Sequence, residues 1–150
     1  MSAEKTAPAS GYTKPLPDLR PEDKPFWDAM KEHRFTLPVG PDGKPFWYPR
    51  GRAPGSLEKV TEWTEASGYG TVYTYSIHHF GPTKAYKGDP PYPVALVDLD
   101  EGPRMMTNLV KDEEGYPSLE PDQVRIGMRV KVVFHDVTDE ITLPKFTPAE

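Results

Sequence analysis

The feature that most constrains this chain is a run of short period-2 stretches from about residue 57 onward, separated by turn residues and not interrupted by any long helical pattern. Residues 71–80 alternate, which predicts Tyr73, Tyr75, Ile77 and His79 on one face and Val72, Thr74, Ser76 and His78 on the other. Gly68-Tyr69-Gly70 reads as a turn or bulge entering that strand. Residues 94–99 are nearly all apolar, as a strand covered on both faces requires. Asp100-Glu101-Gly102-Pro103 supplies a turn, and residues 104–110 form the returning strand. Met128, Val130, Val132 and Phe134 alternate with Arg129, Lys131, Val133 and His135, and a last short strand over 141–146 is interrupted by Pro144. Five short strands with edges to hide predict a closed or partly closed antiparallel barrel, for which the OB barrel is the natural candidate; a sandwich would want more strands.

Upstream of the strands the pattern differs. Pro21 suits a first helical position and is followed by Glu22 and Asp23, acids that the helix dipole favours there. Phe26, Trp27 and Met30 fall at helical spacing, so a short helix is expected over residues 21–33. At about three turns it needs something to pack on. Residues 35–56 show no period and are rich in Gly, Pro and aromatic side chains. Residues 1–20 offer almost nothing to bury and read as a mobile arm. The expected organisation is an arm at 1–20, a helix with an irregular segment at 21–57, and a barrel at 58–150.

Composition narrows the function classes. A net charge of −5 and a pI near 5.4 argue against a general nucleic-acid binder, which needs a basic face to displace counterions. The absence of cysteine removes disulfides, thiol catalysis and thiolate metal sites. The first thirteen residues carry no apolar signal core, and no run approaches the ~20 apolar residues of a membrane span, so a cytoplasmic location is expected.

Several motifs, in order, point to one family. They are Phe26-Trp27, Tyr48-Pro49-Arg50, the stretch from Gly68 to Tyr75, Pro91-Tyr92-Pro93-Val94, Glu101-Gly102-Pro103-Arg104, Ile126-Gly127-Met128 and Leu143-Pro144-Lys145-Phe146. Together they resemble the zinc-ribbon/OB-fold proteins encoded beside thiolases and lipid-transfer-protein-like thiolases. The resemblance implies a mainly β chain, with an N-terminal helix and a zinc-ribbon segment ahead of a five-stranded OB-fold barrel. It also implies a partner role. Such proteins join thiolase-fold subunits that make or break carbon–carbon bonds in acyl-CoA compounds, retro-aldol cleavage of steroid side chains among them, and the partner supplies the chemistry.

The family's ribbon pattern is two Cys-x2-Cys pairs separated by ten residues, with Pro-Arg before the second pair. Anchored on Pro49-Arg50, the four ligand positions fall at Val39, Asp42, Ala53 and Ser56, so the ribbon is degenerate and no metal is expected. Losing a structural zinc removes on the order of 10 kcal/mol of local folding free energy. Phe46, Trp47 and Tyr48 are the expected replacement, since a buried aromatic contributes ~1.5–3 kcal/mol. With Phe26, Trp27 and Arg50 they form the candidate set for ribbon packing or partner contact.

No catalytic residue is expected on this chain. His78 and His79 point to opposite strand faces and cannot share a metal without a bulge, while His33 and His135 lie in different elements. Asp98, Asp100 and Glu101 are ordinary turn acids, and no phosphate loop, nucleophile elbow or metal motif is present. The loop at 80–91 is longer than a hairpin needs and carries Lys84, Tyr86 and Lys87. With Tyr73, Tyr75 and His79 these are the candidate contacts to an acyl-CoA or to the channel that holds it. The reading is a non-catalytic accessory subunit in a hetero-oligomer with a thiolase-fold subunit, binding no cofactor of its own, with acyl-CoA as substrate of the complex and no nucleic-acid or membrane partner. The alternatives are a stand-alone acyl-CoA-binding module and a single-stranded nucleic-acid binder using the tyrosine face.

Overall fold

Each end of the barrel sheet is an edge strand, and the fold is organised by how those two edges meet. The computed structural model describes residues 12–149. The greater part of the expected arm, residues 1–11, lies outside the described residues. The elements are helix α1 (Lys24–Lys31), strands β1 (Thr36–Val39) and β2 (Glu62–Glu65), and barrel strands β3 (Tyr69–His78), β4 (Tyr92–Leu99), β5 (Arg104–Asn108), β6 (Arg129–Asp136) and β7 (Thr142–Pro148). The barrel strands pair antiparallel in the order β5-β4-β3-β6-β7. Beyond β5 the Val110 amide donates to the Phe146 carbonyl (2.8 Å), and the Thr147 hydroxyl donates to the Val110 carbonyl (2.9 Å). These bonds bring β7 back to the end of β5 and nearly close the sheet, the OB-type solution to exposed edges.

Pro144 does not interrupt the last strand. It pairs with Phe134, and β7 runs on to Pro148. As an end strand β7 has only one lateral partner along most of its length, so a residue without an N–H is tolerated there.

The alternation predicted for β3 breaks at a bulge. Val72 pairs with Val97 but Thr74 pairs with Leu96, so Tyr73 is an extra residue. The extra residue shifts every later side chain by one face. Val72 is buried, Tyr75 packs against the same core, and Tyr73 points outward at 50% exposure. Tyr73 and Tyr75 therefore do not share a face, contrary to the sequence expectation. Sheet coiling is tight just before the bulge. A Cβ on Gly70 would lie 2.6 Å from Val97 Cγ1 and 2.7 Å from the Asp98 carbonyl oxygen, so only glycine lets β4 approach so closely.

The predicted helix is a 3-10 turn at Pro21–Asp23 followed by α1, and the chain leaves it with His33 in the left-handed region (φ 56°). Asp23 is buried and paired with the Arg20 guanidinium through two bonds of 2.9 and 3.1 Å. Phe26 and Met30 point inward and join Phe35 and Leu37 from β1 and its approach. These four share one apolar core with Val72, Val97, Val130 and Phe146 of the barrel. Residues 62–65 pair with β1 and not with the barrel sheet, so helix, ribbon and barrel are packed as one body.

Candidate functional site

The ribbon keeps two hairpin knuckles. In the first, the Gly43 amide donates to the Gly40 carbonyl (3.0 Å) and the Gly40 amide donates to the Lys44 carbonyl (2.9 Å). In the second, the Ser56 amide donates to the Ala53 carbonyl (3.1 Å) and the Ala53 amide donates to the Glu58 carbonyl (3.2 Å). The Arg52 guanidinium reaches the Leu57 carbonyl across this turn. The knuckles touch one another. A Cβ on Gly40 would lie 3.8 Å from the Ala53 methyl, and Ala53 is only 4% exposed.

The four positions aligned with zinc ligands have been put to other uses. Ala53 fills the space between the knuckles, and Val39 is half-buried at the end of β1. Asp42 Oδ1 accepts from the Lys44 amide (3.0 Å), and Ser56 Oγ accepts from the Glu58 amide (3.0 Å). Each polar side chain thus caps its own turn. Among the described residues no group of three or more His, Cys, Asp or Glu is placed to hold a metal ion.

Aromatic packing fixes the ribbon to the rest. Trp47 lies 5.1 Å from Phe26 and 6.1 Å from Phe35, centroid to centroid, and Phe35 lies edge-on to Phe146 at 6.3 Å. Trp27 meets Phe26 at 5.0 Å. Trp47 Nε1 is buried with no hydrogen-bond partner among the described residues. Phe46 is half-buried, its amide donating to the Pro38 carbonyl (3.0 Å), and Arg50 is exposed. Tyr48 crosses to the barrel, where its hydroxyl accepts from the Met106 amide (3.3 Å) and so covers part of the free edge of β5.

Tyr48 and Met106 stay 49% and 57% exposed and open one face of the sheet. Register places Met106 opposite Leu96, and Leu96 opposite Thr74. At the flank of this row the Arg104 guanidinium stacks 3.5 Å from the Tyr73 ring while pairing with Asp98 (2.6 Å). The six acyl-CoA candidates scatter. Tyr73 faces out, Tyr75 faces the core, and His79, Lys84 and Lys87 are exposed. Tyr86 alone of the six lines a cleft of about 850 Å³, which lies between residues 12–17, the loop after β3, the loop after β5, and strands β6 and β7.

The sequence profile of the ChsH2 C-terminal OB-fold domain matches residues 63–135. The solved Ltp2-ChsH2(DUF35) aldolase contains a chain that superposes with a TM-score of 0.73 at 32% identity, covering 90% of this chain and 100% of that one. The chain belongs to the DUF35 family. It is also 35% identical over 150 residues to a probable enoyl-CoA hydratase alpha subunit of Thermomonospora curvata, covering 97% of this chain and 43% of the relative. A DUF35 domain-containing scaffold protein of Methanocaldococcus jannaschii is 36% identical over 84 residues, 55% of this chain and 54% of that protein. This DUF35 chain therefore spans about half or less of the length of these two relatives.

The residues that sequence reading missed in this DUF35 chain sit in the cleft. His135 Nδ1 lies 2.8 Å from Lys145 Nζ, and its ring is edge-on to Tyr12 at 5.8 Å and tilted against Tyr116 at 5.3 Å. Burial, and then the Lys145 ammonium beside it, lowers the His135 pKa to about 4. Only the alternation of β6 and the Leu143-Pro144-Lys145-Phe146 motif hinted at the pair, because their meeting depends on the β6–β7 register, in which His135 faces Leu143.

Three outcomes follow. Trp47→Ala lowers unfolding free energy by about 2–3 kcal/mol in urea denaturation, since a half-buried Trp contributes less than a fully buried one. The combined variant Val39→Cys, Asp42→Cys, Ala53→Cys and Ser56→Cys binds one zinc ion per chain by mass spectrometry and melts higher with zinc than without. In acid, the unfolded state takes up a proton at His135 near pH 6.5, whereas the folded state takes it up only near 4. This contribution to stability is complete above pH 6.5 and is lost as pH falls toward 4, and His135→Gln flattens that limb of a urea-midpoint-versus-pH curve.

Proposed function

We propose that this chain is the non-catalytic accessory subunit of a heteromeric thiolase-type acyl-CoA enzyme of the cytoplasm, a thiolase or a steroid side-chain retro-aldolase. The observation that carries the reading is the apolar row Tyr48, Met106 and Leu96 on an open sheet face, next to a ribbon held by aromatic packing. Solvated sheet faces alternate to polar residues, and a contiguous apolar row held by a rigid ribbon marks a contact surface. The chemistry of the complex then belongs to the partner, a thiolase-fold or lipid-transfer-protein-like thiolase subunit. Lys84 and Lys87 are exposed on the loop after β3, and on this reading they meet the phosphates of an acyl-CoA at the edge of the partner's channel.

A second reading has its own support. The likeness to the Thermomonospora hydratase alpha subunit runs along nearly the whole of this chain, so a hydratase-type partner is the competing assembly. Coexpression with one subunit of each type, followed by size-exclusion chromatography with light scattering, separates the two. A stable complex with the thiolase-type subunit is the expected result. Met106→Glu should weaken that complex roughly tenfold or more while leaving the melting temperature nearly unchanged, because the side chain is already in solvent. A chain that stays monomeric with both subunits and binds acyl-CoA alone would be the stand-alone module.

A further inference from the structure

The cleft that holds Tyr86 is lined by three carboxylates and three lysines, and one of those lysines has no salt bridge among the described residues. Its carboxylates are all engaged. Asp89 pairs with Lys14 (2.9 Å), Glu120 with Lys111 (2.7 Å), and Asp136 with His33 (3.0 Å) and the Thr142 hydroxyl (2.6 Å). Lys145 has no carboxylate partner among the described residues. Its amine donates to the Gly115 carbonyl (3.0 Å) and to His135 Nδ1 (2.8 Å), which leaves a third N–H without an acceptor among the described residues. With Nδ1 accepting, the proton of neutral His135 sits on Nε2, a second donor without a hydrogen-bond partner among the described residues. Lys14 is near enough to repel both Lys145 and His135.

This arrangement is built and not incidental. Gly115 has φ 91°, and a Cβ there would lie 2.5 Å from His135 Cβ, so a glycine is needed for the loop to bring its carbonyl to the amine. Lys14 is held by Asp89 and lies over the rings of Tyr12 and Tyr86, at 5.6 and 5.5 Å from their centroids. Tyr86 in turn stacks on Tyr92 at 6.3 Å. Asp89 attracts the Lys145 ammonium from a distance but is already salt-bridged to Lys14, so the half-buried amine keeps a donor that an anion would complete.

We propose that this cleft binds a small organic ligand through a carboxylate or phosphate group, with Lys145 as its central cation, Lys14 as its second, and the body of the ligand against the tyrosine rings. A cleft of about 850 Å³ has room for an aromatic acid or a phosphate ester. The proposal concerns this chain alone, so the absence of a partner complex would leave it standing.

Calorimetry on the full chain at constant ionic strength tests it with benzoate, phenyl phosphate and uncharged benzamide. At least one anion should bind roughly tenfold more tightly than benzamide, the effect of one charge-assisted hydrogen bond. Preference between the two anions identifies the natural group as carboxylate or phosphate. Lys145→Met should abolish the preference over benzamide, Lys145→Arg should restore part of it, and Lys44→Met on the distant ribbon should leave it intact. Should Lys145→Met fail to fold, a pH series on the unmodified chain decides. Burial lowers the Lys145 pKa to about 8, so anion affinity should fall as pH rises through that value. The other groups facing the amine are Lys14, Asp89, Tyr12, His135 and Tyr116, and none of those with a resolved shift titrates near pH 8. Equal binding of benzamide and both anions, no binding at all, or a folded Lys145→Met that binds as the unmodified chain does would overturn the proposal.

Discussion

The contact on which the rest of this molecule depends is the aromatic stack running from Trp47 through Phe26 and Phe35 to Phe146. It joins three pieces of chain that could not stand separately. Helix α1 has eight residues, too few to persist alone. The ribbon has two short strands and two tight knuckles, and barrel strand β7 is an end strand. A structural zinc would give the ribbon its own source of folding free energy, independent of its neighbours. With an apolar stack in its place, the ribbon's stability comes from the barrel core, and the two should melt together.

Loss of the metal also explains the fate of the ligand positions. A knuckle without metal still has turn amides to satisfy and a gap to fill. Asp42 and Ser56 are short polar residues that accept from the amide two residues on, and Ala53 is small enough to sit against Gly40. The substitutions are therefore coherent with one another. The ribbon holds its shape, and Tyr48 stays where it can cover the edge of β5.

Much of this was legible in the residues. The five barrel strands and the helix around Phe26 and Met30 follow from periodicity and turn chemistry. The bulge at Tyr73 was not legible, because alternation shows which residues oppose each other only while the register is unbroken. That single extra residue sent Tyr73 outward and Tyr75 inward and dissolved the tyrosine face expected for ligand contact. The Lys145–His135 pair was hidden for a related reason. Its members are ten residues apart on adjacent strands, and the loop carbonyl that completes it comes from Gly115. Local patterns fix which side of a strand a residue takes, whereas a site built by three segments depends on register and on loops.

The two surfaces of the barrel obey different physics, and that separates their roles. The Tyr48–Met106–Leu96 face is apolar and open, and the charges at its flank, Arg104 and Asp98, are paired with each other. Burying it costs little desolvation, which suits a protein partner. The cleft beside β7 carries an ammonium with no salt bridge and a His135 donor with no acceptor among the described residues, so covering it with an apolar surface would be expensive, while an anion would complete it. Both faces rest on one core, which includes Phe146, the neighbour of Lys145 in the chain. The proposed partner and the proposed ligand would thus be recognised by different chemistry, apolar burial on the open sheet face and charge-assisted hydrogen bonds in the cleft.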